Sequence, residues 1–61
     1  MRWKVLVLQN DPGAVCRRDP RDGFFWVMAE GRAIGFGFSA WAAWRHAWEL
    51  ILREQRKLAG L

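Results

Sequence analysis

Two periods organise the apolar positions of this chain. Positions 2–9, RWKVLVLQ, are rich in strand formers, and Asn10-Asp11-Pro12-Gly13 closes them with strong turn chemistry. Read as a strand over about 2–9, they place Trp3, Val5 and Val7 on one face and Arg2, Lys4, Leu6 and Leu8 on the other. Apolar side chains on both faces suit a paired, covered strand. Positions 24–29 form a second apolar run and 32–38 a third, with Glu30-Gly31 between them as a tight hairpin turn. From Ser39 the period changes to that of a helix. Trp41, Trp44, Trp48, Ile51, Leu52 and Leu58 fall on one stripe, with Arg45, His46, Glu49, Arg53, Arg56 and Lys57 opposite. Ser39 fits an N-cap and Gly60 a C′ position, which bounds the helix at about 40–59. The order predicts an α+β fold over a single domain, 1–61: a small three-stranded antiparallel sheet packed on one long C-terminal helix, β-β-β-α.

The hairpin's loop length decides which side chains share a face. A two-residue turn sets Trp26 opposite Gly35 and Phe24 opposite Gly37, with rings over bare glycine backbone. A three-residue loop with a bulge at Gly31 instead gathers Phe24, Trp26, Met28, Ile34, Phe36 and Phe38 on one face. Phe25, Val27, Ala29, Ala33, Gly35 and Gly37 then share the other. Both arrangements stay open, and we favour the two-residue turn. The stretch 11–23 holds both prolines and the cluster Arg17-Arg18-Asp19-Pro20-Arg21-Asp22-Gly23. Ala14-Val15-Cys16 could add a short strand there. The cluster reads either as a solvated loop partly neutralised by its aspartates or as a contact surface.

Composition narrows the chemistry. Sixty-one residues leave room for one small core, and a 52% hydrophobic share excludes a disordered tail. Cys16 is the only cysteine and His46 the only histidine, too few for a structural zinc site. A Cys16–His46 nucleophile pair lacks an orienting third group. Gly35 and Gly37 lack the Lys-Ser/Thr that completes a phosphate loop. No catalytic residue, cofactor or metal is therefore expected, and the chain does not read as an enzyme. No apolar run approaches the ~18–20 residues of a membrane span, and Val5–Leu8 is too short for a signal-peptide core. The cytoplasm is the expected location. A membrane is not an expected partner, because Glu49 and Glu54 dilute the basic side of the helix.

Ten Lys and Arg against six Asp and Glu leave a net charge of +4, and five Trp and four Phe are more rings than one helix can cover. The uncovered sheet face carries aromatics in either parity, which marks a partner site. Aromatics and arginine are also the side chains enriched in interface cores. The candidate contact residues are Arg17, Arg18, Arg21, Phe36, Phe38, Arg45, Arg53, Arg56 and Lys57. The expected partner is another protein or protein complex. A homodimer is a further expectation, through the sheet face or an unguarded edge of strand 32–38. The competing class is a small basic nucleic-acid-binding module, with arginines on phosphate and Phe36 or Phe38 stacking on bases.

Three resemblances bear on this choice. Gly35-Phe36-Gly37-Phe38-Ser39-Ala40-Trp41 resembles the RNP octamer of RNA-recognition motifs, which implies base stacking at Phe36 and Phe38. Ile34 stands where that family has Lys or Arg, and Ser39 where it has an aliphatic residue. That family also needs a helix between its first two strands and a fourth strand. In topology, β-β-β-α is similar to small integrase-arm DNA-binding domains and to the front half of HicB-type antitoxins. In size and in its many interface-grade residues, the chain resembles phage-encoded inhibitors of the anti-CRISPR type. That resemblance implies stoichiometric inhibition of a larger nucleic-acid-handling complex, and Arg- and Ala-rich usage fits a GC-rich phage or bacterial genome.

Overall fold

The computed structural model describes residues 2–60. Its elements run α1 (Arg2–Asn10), β1 (Val15–Arg18), β2 (Phe25–Ala29), β3 (Arg32–Gly37) and α2 (Ala40–Ala59). The strands form one antiparallel sheet in the order β1-β2-β3, followed by the long helix. The three-stranded α+β architecture therefore stands, but its first strand comes from a different segment. Positions 2–9 are helical, and the first strand is Val15–Arg18, drawn from the stretch that reads mainly as a loop.

Strand propensity at Val5–Leu8 is a weak preference that packing overrides. Trp3, Leu6 and Val7 are spaced for one helix face. Val7 is fully buried in the core, with Trp3 and Leu8 packed against it, while Val5 on the far side stays exposed. The face lies along α2: Trp3 meets Trp41 edge-on at 6.4 Å, and Gln55 donates to the Asn10 side chain at 3.2 Å. Backbone N–H of Asp11 donates to Val7 O at 2.7 Å, closing the helix before Pro12.

The β2–β3 hairpin combines parts of both parities. Its turn has two residues, and Glu30 and Gly31 both take positive φ, 53° and 78°, the backbone that a type I′ hairpin requires. Ala29 pairs with Arg32 and Met28 with Ala33. Then the register shifts, so that Val27 pairs with Gly35, Trp26 with Phe36 and Phe25 with Gly37. Ile34 is the additional residue, a bulge that packs against the core. Because of it, Trp26 lies opposite Phe36 rather than Gly35, and the glycines turn towards α2.

Ser39 caps α2, its Oγ accepting from Ala42 N–H at 3.1 Å, and Gly60 N–H closes the other end on Arg56 O at 2.9 Å. Gly60 is the C-cap with a right-handed φ of −77°, not the left-handed glycine expected at C′. Ala43, Trp44 and Ala47 face the sheet and complete a core with Val7, Ala14, Val27 and Ala29. The helical stripe is thus split: Trp44 is buried, Trp48 is half-buried and Trp41 is 49% exposed. Among the described residues no helix is long and apolar enough to cross a membrane.

Candidate functional site

The sheet has one covered face and one open face, and the register assigns each side chain to one of them. Paired residues of neighbouring antiparallel strands project to the same side. Val27, Gly35, Phe25, Gly37 and Cys16 face the helices. Trp26, Phe36, Met28, Arg17 and Val15 face outwards. Phe24 and Phe38, just beyond the strands, extend this outer set.

On the outer face four rings form one cluster. Trp26 and Phe36 stack across the strands at 5.0 Å and 25°. Phe24 meets Phe36 edge-on at 5.9 Å and Phe38 at 4.8 Å in a tilted contact. Phe36 and Phe38 are 44% and 84% exposed, and Val15, opposite Met28 on β1, is a further exposed apolar side chain of this face. At the β3 edge, Phe36 N–H donates to His46 Nδ1 at 3.1 Å, while the two rings meet edge-on at 5.0 Å. His46 thus acts as a hydrogen-bond acceptor at the sheet edge.

At the β1 edge the loop between β1 and β2 holds its shape through its own polar groups. Asp19 N–H donates to Phe24 O and Gly23 N–H to Asp19 O, both at 2.8 Å, with Gly23 at φ 77°. Asp22 Oδ1 accepts from Phe24 N–H at 2.8 Å, and Trp26 Nε1 donates to Asp22 Oδ2 at 3.1 Å. The indole is therefore fixed in the ring cluster by a carboxylate from the loop. Asp19 Oδ1 accepts from Arg21 N–H at 2.8 Å. This backbone hydrogen bond holds the Asp19 carboxyl below the ordinary aspartate range against the opposing effect of burial, and the Arg21 guanidinium adds to the lowering. A groove of about 580 Å³ opens between the loop and β2, bordered by Arg17, Arg18, Asp19, Pro20 and Arg21 on the loop side and by Trp26 and Met28 on β2.

The candidate contact residues divide between this face and other surfaces. Arg17, Arg21, Phe36 and Phe38 come together on or beside it. Arg18 pairs with Phe25, so it starts from the helix-side register of β1, although its side chain also reaches the groove. Arg45 lies on α2, 5.5 Å from the Trp41 ring and bonded to Glu49 at 3.1 Å. Arg53, Arg56 and Lys57 belong to the exposed last turns of α2, away from the rings. Trp26, Phe24, Met28 and His46 join the site although their residue types alone did not select them. The bulged parity is the signal that gathers the first three, and nothing in the sequence marks His46 as the partner of Phe36.

Cys16 is half-buried under the sheet, and burial pushes its thiol up despite the opposing Lys4 ammonium. Among the described residues no three His, Cys, Asp or Glu side chains cluster to hold a metal ion. No protein-family model, curated protein or solved structure matches the chain.

Proposed function

We propose that the chain is a non-enzymatic binding protein that engages another protein through the outer face of its sheet. The observation that carries this reading is the contiguous cluster Phe24, Trp26, Phe36 and Phe38, left open on the side of the sheet that no helix covers. Apolar clusters of this kind on a small protein mark interaction surfaces. Arginines along one rim and aromatics at the centre match the composition of interface hot spots.

The size resemblance extends the proposal to a stoichiometric inhibitor of a larger nucleic-acid-handling complex. A net charge of +4 has the wrong sign for mimicry of nucleic acid. Inhibition would therefore work by covering an apolar or acidic protein surface, not by occupying a basic channel. The alternative, a small nucleic-acid-binding module, draws its support from Arg17 and Arg21 beside the rings.

Capture from nuclease-treated host lysate on the immobilised full chain, with wild type and Phe38→Asp in parallel, tests the proposal. Proteins retained by wild type and lost with Phe38→Asp are the expected result. Equal retention by both would overturn it. Filter binding of random single strands at low and high salt separates the alternative, since salt-sensitive retention would favour nucleic acid.

A further inference from the structure

The groove beside Trp26 has an uneven charge, and the asymmetry points to a ligand chemistry. Both loop carboxylates are already engaged: Asp22 by Trp26 Nε1–H and Phe24 N–H, and Asp19 by Arg21 N–H. Arg21 approaches Asp19 only through Nε at 3.5 Å, and 90% of its side chain is exposed. Among the described residues only two ion pairs form, Arg21–Asp19 and Arg45–Glu49, so Arg17 faces the groove with no carboxylate partner. A guanidinium in that position is suited to bidentate capture of an oxyanion. Beside it, Trp26, Met28 and Pro20 supply apolar surface, and the bond to Asp22 holds the indole still.

Three arguments choose the occupant. Three short strands ~4.8 Å apart give a face of only a few hundred Å², against ~800 Å² per partner in a stable interface, so a second copy is not held by this face alone. Trp26 has one ring face stacked on Phe36, and Phe36 is flanked edge-on by Phe24 and His46. The cluster therefore lacks the succession of open ring faces on which consecutive bases stack. Within 17–22, three arginines against two aspartates leave a single net positive charge, suited to one carboxylate rather than a run of phosphates.

We infer that the groove receives a short extended segment of a partner protein carrying an aspartate or glutamate close to a large apolar side chain. The apolar side chain lies against Trp26 and Met28, and the carboxylate meets Arg17 and the free end of Arg21. The inference rests on the protein-binding reading above and adds the chemistry of the partner.

Fluorescence anisotropy of labelled peptides titrated with the full chain tests it. The probes are short Gly-Ser peptides carrying an Asp-Phe, Lys-Phe or Asp-Ser pair, with an oligo-dT as the nucleic-acid probe. The Asp-Phe peptide should bind at least about tenfold more tightly than the other two. Arg17→Glu should reverse the order of the Asp-Phe and Lys-Phe peptides, Arg17→Gln should shrink the difference, and Arg17→Gln with Arg21→Gln should abolish it. Glu54→Arg, on the last turns of α2 and outside the lining of the groove, should leave it unchanged. Equal binding of Asp-Phe and Lys-Phe peptides, binding of none, or tighter salt-sensitive binding of oligo-dT would each overturn the inference. If the peptides fail while Phe38-dependent capture persists, the ligand chemistry falls and the protein-binding reading stands. Loss of both removes the reading itself.

Discussion

Gly35 lies so close to Ala47 that a Cβ on the glycine would sit 2.5 Å from the Ala47 amide nitrogen. Gly37 repeats the contact one register step along, with a Cβ falling 2.7 Å from the Ala42 Cβ and 2.9 Å from the Ala43 nitrogen. Helix and strand thus meet backbone against backbone, and this low seat is what buries Ala43 and Ala47. Rings do not cover these glycines, as a bulge-free hairpin would have them do; the helix does.

Gly35→Ala should therefore cost about 3 kcal/mol, because the crowded atoms belong to a helix backbone that cannot turn aside. Gly13→Ala, where a Cβ meets only Asp11 Oδ1 at 4.0 Å, should stay within ~0.5 kcal/mol. Urea denaturation of both variants measures the contrast. Equal midpoints would mean that α2 does not sit this close to β3.

His46 guards the open edge of β3 by accepting the Phe36 N–H. An edge strand with free N–H groups is a template for pairing with another chain. His46→Ala should remove about 1 kcal/mol of stability and speed hydrogen exchange at the Phe36 amide. It should also raise self-association in sedimentation equilibrium. Unchanged exchange at that amide would show that the bond is not held in solution.

Which parts of this could be read from the chain depends on how local their causes are. Ser39 and Gly60 each mark one end of α2 locally, and an uninterrupted period of 3.6 joins them, so its bounds are legible. The hairpin turn is equally local. The faces it produces are not, because the bulge at Ile34 arises from the need to turn Gly35 and Gly37 towards the helix, a tertiary demand. The N-terminal segment fails for the same reason. Val5-Leu6-Val7-Leu8 prefers a strand locally, yet a helix lets Trp3 and Val7 cover the flank of α2. The arginine cluster and the two phenylalanines were visible as residue types. Their meeting with Trp26 needed the register.

Asp19 links the loop to pH. Its carboxyl is held below the ordinary range chiefly by the Arg21 backbone N–H, which outweighs the raising effect of burial, and the guanidinium adds to the lowering. A depressed folded-state value means that the charged form stabilises the loop, fully above the unfolded aspartate value of about 3.9 and progressively less as pH falls below it. Asp19→Asn keeps an oxygen acceptor but removes the charge. Thermal melts between neutral and strongly acidic pH should therefore show a shallower loss of stability for Asp19→Asn than for wild type. Parallel curves would mean that the loop carboxylate is not tied to Arg21 in solution.

Trp44 and Phe38 are rings of the same chain at opposite extremes, 3% and 84% exposed. Trp44 belongs to a core whose other members are small, so Trp44→Ala should cost about 3–5 kcal/mol. For a domain of this size that approaches the whole folding free energy, and the variant should lose cooperative unfolding. Phe38 has one ring contact, with Phe24, and most of its surface already lies in water. Phe38→Ser should accordingly change stability by no more than about 1 kcal/mol. It should nonetheless lower binding of a hydrophobic dye and weaken capture of the protein partner. Stability and partner binding then separate on two side chains of one molecule, which a purely structural role for the outer cluster does not allow. A melting temperature for Phe38→Ser depressed as far as that of Trp44→Ala would place Phe38 in the fold's own core, and the open aromatic face would lose its claim to be a binding surface.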